Sequence, residues 1–202
     1  MHILKGNIKE RAGKIVAIKI YVDQGHNPVN PNAGAEGQGL REQNIVYRIG
    51  QELATLLRAD PAFEVRLSRP TAQTQLGNSN ASSLAARVKD ANSWGADYFI
   101  SLHTNASELA AATGSEAFSF SRDGAGFALG EDILIGLARE TGLPNRGMFT
   151  RPSLYVLKRT AMPAVLVELG FITNARDAAL MNEQPQLFAR GIYEGIRAYT
   201  GA

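Results

Sequence analysis

A chain of 202 residues, 45% of them hydrophobic, is long enough to bury one core. A net charge of +2, with no Lys/Arg cluster interleaved with aromatics, argues against a nucleic-acid partner, and no apolar run approaches the length of a membrane span. Cysteine is absent, so disulfides and thiolate chemistry are excluded and any metal site must draw on His, Asp and Glu.

The first 13 residues are read as an N-terminal extension, either an added strand or a frayed arm, ahead of a single domain over 14–202. The opening stretch does not read as a secretory leader: its apolar part is broken by Lys19 and has no small-residue cleavage site behind it. In IYVDQGHNPVN, the β-branched run Ile18, Ile20, Val22 stops at Asp23 and gives way to Gly25, His26, Asn27 and Pro28. That is the end of a buried strand opening into a tight loop. Residues 27–39 continue as loop. Ile45, Val46, Ile49, Leu53, Leu56 and Leu57 then recur at the helical period over 41–59, and Asp60-Pro61 ends the helix.

Phe63, Val65 and Leu67 alternate with polar residues as a short strand. After a loop over 70–82, Leu84, Val88, Ala91 and Trp94 mark a helix, with Asn80 or Ser82 as its expected N-cap. Strands follow at 97–103 and 116–121. The next helix, 126–141, is stopped by Gly142 and Pro144. Residues 154–157 (LYVL) read as strand, and 164–171 (AVLVELGF) as the most deeply buried strand of the chain. Asn174 caps a short helix and Pro185 opens the last one. Strands alternating with helices, several of them continuous apolar runs, predict an α/β fold. It is a three-layer αβα single domain with a mixed, mostly parallel central sheet.

In such a sheet ligands bind beyond the carboxyl ends of the strands. His26 follows one strand, His103 ends another, and Glu168 lies near the end of a third. Glu42 opens the helix after the His26 loop. One topological rule therefore gathers two imidazoles and two carboxylates at one edge. Two His and one carboxylate form a zinc ligand set that leaves an open position for water, and a second carboxylate can take that water's proton. Each residue also has a plainer reading. A strand-end His can serve as a loop hydrogen-bonder, Glu42 as a first-turn carboxylate favoured by the helix dipole, and Glu168 as half of a buried salt bridge. His2, near the terminus, is assigned no role, and no compact motif such as H-E-x-x-H is present.

The residues around these four resemble the zinc-dependent N-acetylmuramoyl-L-alanine amidases of amidase type 3. The D-P-G-H-G-G-like segment is matched by Asp23 to Pro28, the glutamate opening the first helix by Glu42, and S-x-H-x-N by Ser101 to Asn105. P-A-V-L-V-E-x-G-F-x-x-N is matched in full from Pro163 to Asn174. Leu84, Arg87, Ala91 and Asn92 match L-x-x-R-x-x-x-A-N, while Gly114-Ser115-Glu116 and Asn145-Arg146-Gly147 match two further segments. The resemblance runs in order from about Lys14 to Tyr199. It implies one zinc ion per chain held by His26, Glu42 and His103, with Glu168 as the catalytic carboxylate. The implied reaction is hydrolysis of the amide between the lactyl group of N-acetylmuramic acid and L-alanine of the stem peptide, with zinc-activated water as nucleophile and Glu168 as general base and then acid. Peptidoglycan is the implied partner, a monomer the expected state, and the cell wall outside the membrane the implied place of action. Lacking a recognisable leader, the chain is expected to leave by lysis or to be a domain without one.

Three departures from the pattern stand out. Gln24, Asn27 and Pro28 replace Pro, Gly and Gly around the first histidine, so a changed rim is expected rather than a lost metal. Ser68-Arg69-Pro70-Thr71 lacks the aspartate of the family's T-R-x-x-D. No room exists for the helical plug that some relatives insert, so self-inhibition is not expected. Asn105 is read as orienting substrate or capping a turn, and Glu116 as facing the cleft or pairing with Arg146 or Arg87. Arg69 and Arg87 are read as structural ion-pair partners, and Leu154 to Lys158 as lining the groove or as ordinary strand. Two other functions remain open: a catalytically silent peptidoglycan-binding module and a zinc peptidase cutting within the stem peptide.

Overall fold

The computed structural model describes the backbone of residues 10, 11 and 14–202 and the side chains of residues 16–202. His2 and most of the N-terminal extension lie outside the described residues. At its edge, β1 (Glu10–Arg11) pairs antiparallel with β2 (Lys14–Ile15) as a small ribbon separate from the central sheet.

The central sheet is built from β3 (Ile18–Gln24), β6 (Phe63–Leu67), β7 (Tyr98–Asn105), β8 (Ser115–Ser119), β9 (Asn145–Thr150) and β10 (Ala164–Phe171). A two-stranded ribbon of β4 (Glu36–Gly37) and β5 (Leu40–Arg41) leads into the first helix. The sheet order is β6-β3-β7-β10-β8-β9. The first four of these are mutually parallel; β8 runs antiparallel to β10, and β9 runs parallel to β8. The sheet is thus mixed and mostly parallel, with helices on both faces.

Side chains alternate across it. On one face Ile20, Val22, Ile100, Leu102, Val165 and Val167 pack beneath α1 (Glu42–Ala59), α3 (Ala125–Thr141) and α6 (Pro185–Thr200), with Met181 of α5 (Ala175–Glu183) joining them. On the other, Tyr21, Phe99, Phe118 and Leu166 pack against Val88 and Ala91 of α2 (Asn80–Trp94) and Val156 and Leu157 of α4 (Tyr155–Arg159). Burying each Leu, Ile or Phe stabilises by roughly 1.5–3 kcal/mol, which fixes strand register and so the position of the strand ends. Continuing the alternation past Tyr21, Phe99 and Leu166 places Asp23, Ser101, His103 and Glu168 on this second face, at the carboxyl edge. Among the described residues no helix is long and apolar enough to cross a membrane.

Two expectations are corrected, and one strand is added. Residues 154–157 are not a strand: Tyr155–Arg159 is α4, and short apolar runs do not separate helix from strand by periodicity. The N-cap of α2 is Ser79, not Asn80 or Ser82. Ser79 accepts from the Ser82 backbone N–H, and Ser82 as the third helical residue returns the bond in a capping box. Strand β9, across the N-R-G segment, went unpredicted because it is a polar edge strand with little apolar signal. Asn174 does cap α5, accepting from Arg176 and Asp177, and Pro185 does open α6.

Candidate active site

The edge above β3, β7 and β10 is organised by Glu42. As the first residue of α1 it is 3% exposed, and its backbone N–H donates to the Ala35 carbonyl. Its Oε2 accepts from the Ala35 N–H at 2.8 Å and its Oε1 from the Thr104 N–H at 2.8 Å. The same Oε1 lies 3.1 Å from His26 Nε2 and 3.1 Å from His103 Nδ1. The two imidazoles meet edge to face, 4.8 Å between centroids.

One ligand atom from each of His26, Glu42 and His103 falls within 4.8 Å of the others, a group that could hold a metal ion. Burial works against a charged Glu42, yet the hydrogen bonds and charges of the two imidazoles hold its carboxyl far below the usual range. His103 is likewise disfavoured as a cation by burial, but Glu42 reverses the sign and raises its pKa.

Local backbone makes this convergence possible. Gly25 donates its N–H to the Leu102 carbonyl, and a Cβ there would lie 2.6 Å from His103 Cε1 and Nε2. A Cβ at Gly34 would lie 2.8 Å from Glu42 Oε2 and 2.9 Å from His26 Cδ2. His26 itself sits at φ 66°, a conformation few non-glycine residues adopt. Arg87 holds it there, donating to the His26 and Gln24 carbonyls and to Asp23 Oδ1. Burial disfavours the Asp23 carboxylate, but Arg87 and the Ser101 hydroxyl outweigh it and lower its pKa.

Glu168 stands beside this group. In the ladders it faces His103 on one side and Glu116 on the other. It is partly buried and its Oε2 has no hydrogen-bond partner among the described residues. Burial pushes its carboxyl up to about 7, with Glu42 and Glu116 adding to the rise and His103 and Arg151 opposing it. A carboxyl poised there can gain and lose a proton at neutral pH.

The remaining candidates form a separate chain of contacts. Asn105 Nδ2 donates to Glu116 Oε1 at 2.8 Å, and Arg146 Nε donates to Glu116 Oε2 at 2.9 Å. Of the two pairings expected for Glu116, that with Arg146 is present and Arg87 belongs to Asp23. Arg69 needs correction, since among the described residues it has no carboxylate partner. Its guanidinium donates to the Gln43 and Ala72 carbonyls, and burial lowers its pKa to about 10.

The departures around His26 have visible jobs. Asn27 ties its loop to Pro31 and Leu76, while Gln24 bridges Ser68, Arg69 and Tyr47. Sequence reasoning gave no role to Asp177. It is fully buried and receives the Thr113 hydroxyl and the Gly114 and Phe171 N–H groups, tying the β7–β8 loop to the end of β10. Its only signal was an acidic residue in the first turn of a helix.

The family model described as N-acetylmuramoyl-L-alanine amidase (Amidase_3) matches residues 20–198. The chain belongs to that amidase family. Among curated amidases it is 35% identical over 188 residues to CwlM of Bacillus licheniformis, covering 91% of this chain and 69% of CwlM. It is 35% identical over 189 residues to LytC of Bacillus subtilis, covering 92% of this chain but only 36% of LytC. It therefore spans about a third of one of these amidases and about two thirds of the other. Among solved structures it is similar to the catalytic domain of CwlV, an N-acetylmuramoyl-L-alanine amidase from Bacillus (Paenibacillus) polymyxa var. colistinus. That match has a TM-score of 0.80 at 29% identity and covers 91% of this chain and 98% of the other. The span of the family model, residues 20–198, includes all four edge residues, His26, Glu42, His103 and Glu168.

Proposed function

We propose that this chain hydrolyses the amide joining the lactyl group of N-acetylmuramic acid to L-alanine of the peptidoglycan stem, with one zinc ion at His26, Glu42 and His103 and with Glu168 as the proton carrier. The observation that carries this reading is the convergence of two imidazole nitrogens on one carboxylate oxygen, beside a carboxyl with an unpartnered oxygen, in a member of the amidase family.

The donor set fits zinc: two imidazole nitrogens and one carboxylate oxygen, the three-protein-ligand set of catalytic zinc sites. The glycines at 25 and 34 leave the space into which a side chain would otherwise intrude. When bound, zinc polarises the scissile carbonyl and acidifies water. The rest belongs to the protein. Glu42 keeps its charge in a buried setting and orients both imidazoles. Thr104 and Ala35 backbone N–H groups hold Glu42 in turn, as outer partners of metal ligands commonly do. Glu168 accepts the proton of the attacking water and returns it to the departing alanine amine, acting first as base and then as acid. A cation nearby lowers its pKa from about 7 and favours the base form at the start of the cycle. The Asn105–Glu116–Arg146 chain lies along the β8 side of Glu168, where it is suited to orient substrate.

On this reading the chain acts in the wall, outside the membrane, in keeping with its amidase family. The domain is taken as residues 14–202, with the preceding residues as an extension. The reading is tested by digesting isolated peptidoglycan and identifying products by mass spectrometry. Stem peptides with a free L-alanine amine are expected. Fragments cut within the peptide with the muramoyl–alanine bond intact would mean a peptidase, and no products at all from zinc-loaded protein would favour a binding module.

A further inference from the structure

Arg151, just past β9, is exposed, yet its guanidinium is laid 4.2 Å from the centroid of the Phe118 ring. Its backbone N–H donates to the Ser119 carbonyl, which ties this turn to the end of β8. Phe118 shares its sheet face with Glu116, two residues away, and Glu116 faces Glu168 in the ladder. A two-residue step along a strand is about 7 Å, so the guanidinium lies on the order of one such step from Glu168. Its charge is among those acting on the Glu168 carboxyl.

Arg146, by contrast, is committed to Glu116. The Arg151 side chain forms no hydrogen bond or ion pair with any described residue, so its five N–H donors stay available. Phe149, 47% exposed and 6.0 Å from Phe118 between centroids, extends the apolar floor beside it. An arginine held over an aromatic ring with its donors free is pre-organised for a planar carboxylate.

Resting on the amidase reading above, the chemistry of the substrate narrows the choice of carboxylate. The lactyl carboxyl is consumed in the scissile amide, so the free carboxylates belong to the peptide. In an extended peptide a group about 7 Å from the scissile bond belongs to the residue after alanine. We propose that Arg151 reads a free carboxylate on the residue following L-alanine, so that the chain discriminates acidic stem peptides from those amidated at that position.

The test compares kcat/KM on two muramoyl-L-alanyl peptides that differ only there, one with a carboxylate and one with a primary amide. The parent should prefer the acid by about 10- to 100-fold, the range of one charged hydrogen-bonded contact. Arg151→Gln should bring the ratio close to one, chiefly through a higher KM for the acid, and Arg151→Lys should restore part of it. A parent that cleaves both peptides equally overturns the proposal, as does an Arg151→Gln variant that keeps the parent's ratio or loses both substrates in equal measure. A parent that cleaves neither defeats the amidase reading and this proposal with it.

Discussion

Arg87 and Asp23 form an ion pair in which both side chains are 1% exposed, and the same guanidinium holds the carbonyls of Gln24 and His26. A structural pair thus sets the backbone of a proposed metal ligand. Asp23→Asn should cost about 3–5 kcal/mol, because it leaves Arg87 buried and uncompensated. The folded state depresses the Asp23 pKa below 3.8. Its contribution is therefore full well above that value and is lost as the pH falls through it and on through the lower folded value. Denaturant titrations should show the parent far more stable than Asp23→Asn at neutral pH, with the gap closing in acid. A gap independent of pH would mean that the charge is not what matters.

Gly25→Ala should leave the core intact but drive a methyl into the His103 ring and the Leu102 carbonyl. Zinc affinity should fall at least about 10-fold, the usual effect of disturbing what supports a ligand. Calorimetric titration with zinc checks this; an unchanged affinity would show that the ring moves aside without consequence.

On the proposed reading zinc binds the assembled site and not the unfolded chain, so it should raise the melting temperature of the parent. At a free concentration one hundred times the dissociation constant the gain is about 2.7 kcal/mol. Chelation should reverse the shift, and His103→Ala should show none. A shift that survives in His103→Ala would place the metal elsewhere.

Much of this was legible from residues alone, for a physical reason. Continuous apolar runs mark strands covered on both faces, and such strands read clearly in β3, β7 and β10. Their shared direction then forces His26, His103 and Glu168 to one edge. Elements stabilised by context were harder. The LYVL run became helix α4, with Val156 and Leu157 packed on the second face of the sheet. Strand β9 is carried by pairing to β8 rather than by apolar content. Arg69 is satisfied by carbonyls that no spacing rule could indicate. The Phe118–Arg151 stack joins two strands' ends and has no local signature.

Purified, zinc-loaded protein should digest peptidoglycan without a protein activator. The connections available for a plug are the nine residues 106–114 between β7 and β8 and the five residues 120–124 before α3, and neither carries a helix. Activity that appears only when a second protein is added would contradict this.

The most direct test of the proposed chemistry measures bound zinc and released L-alanine-terminated peptides for the parent, Glu168→Gln and His103→Ala in parallel. Glu168→Gln should bind zinc as the parent does and release peptides about 100- to 10,000-fold more slowly, the span of a lost general base. His103→Ala should lose both zinc and product. Equal zinc loss in the two variants, or near-parent turnover by Glu168→Gln, would contradict the division of roles between three ligands and one proton carrier.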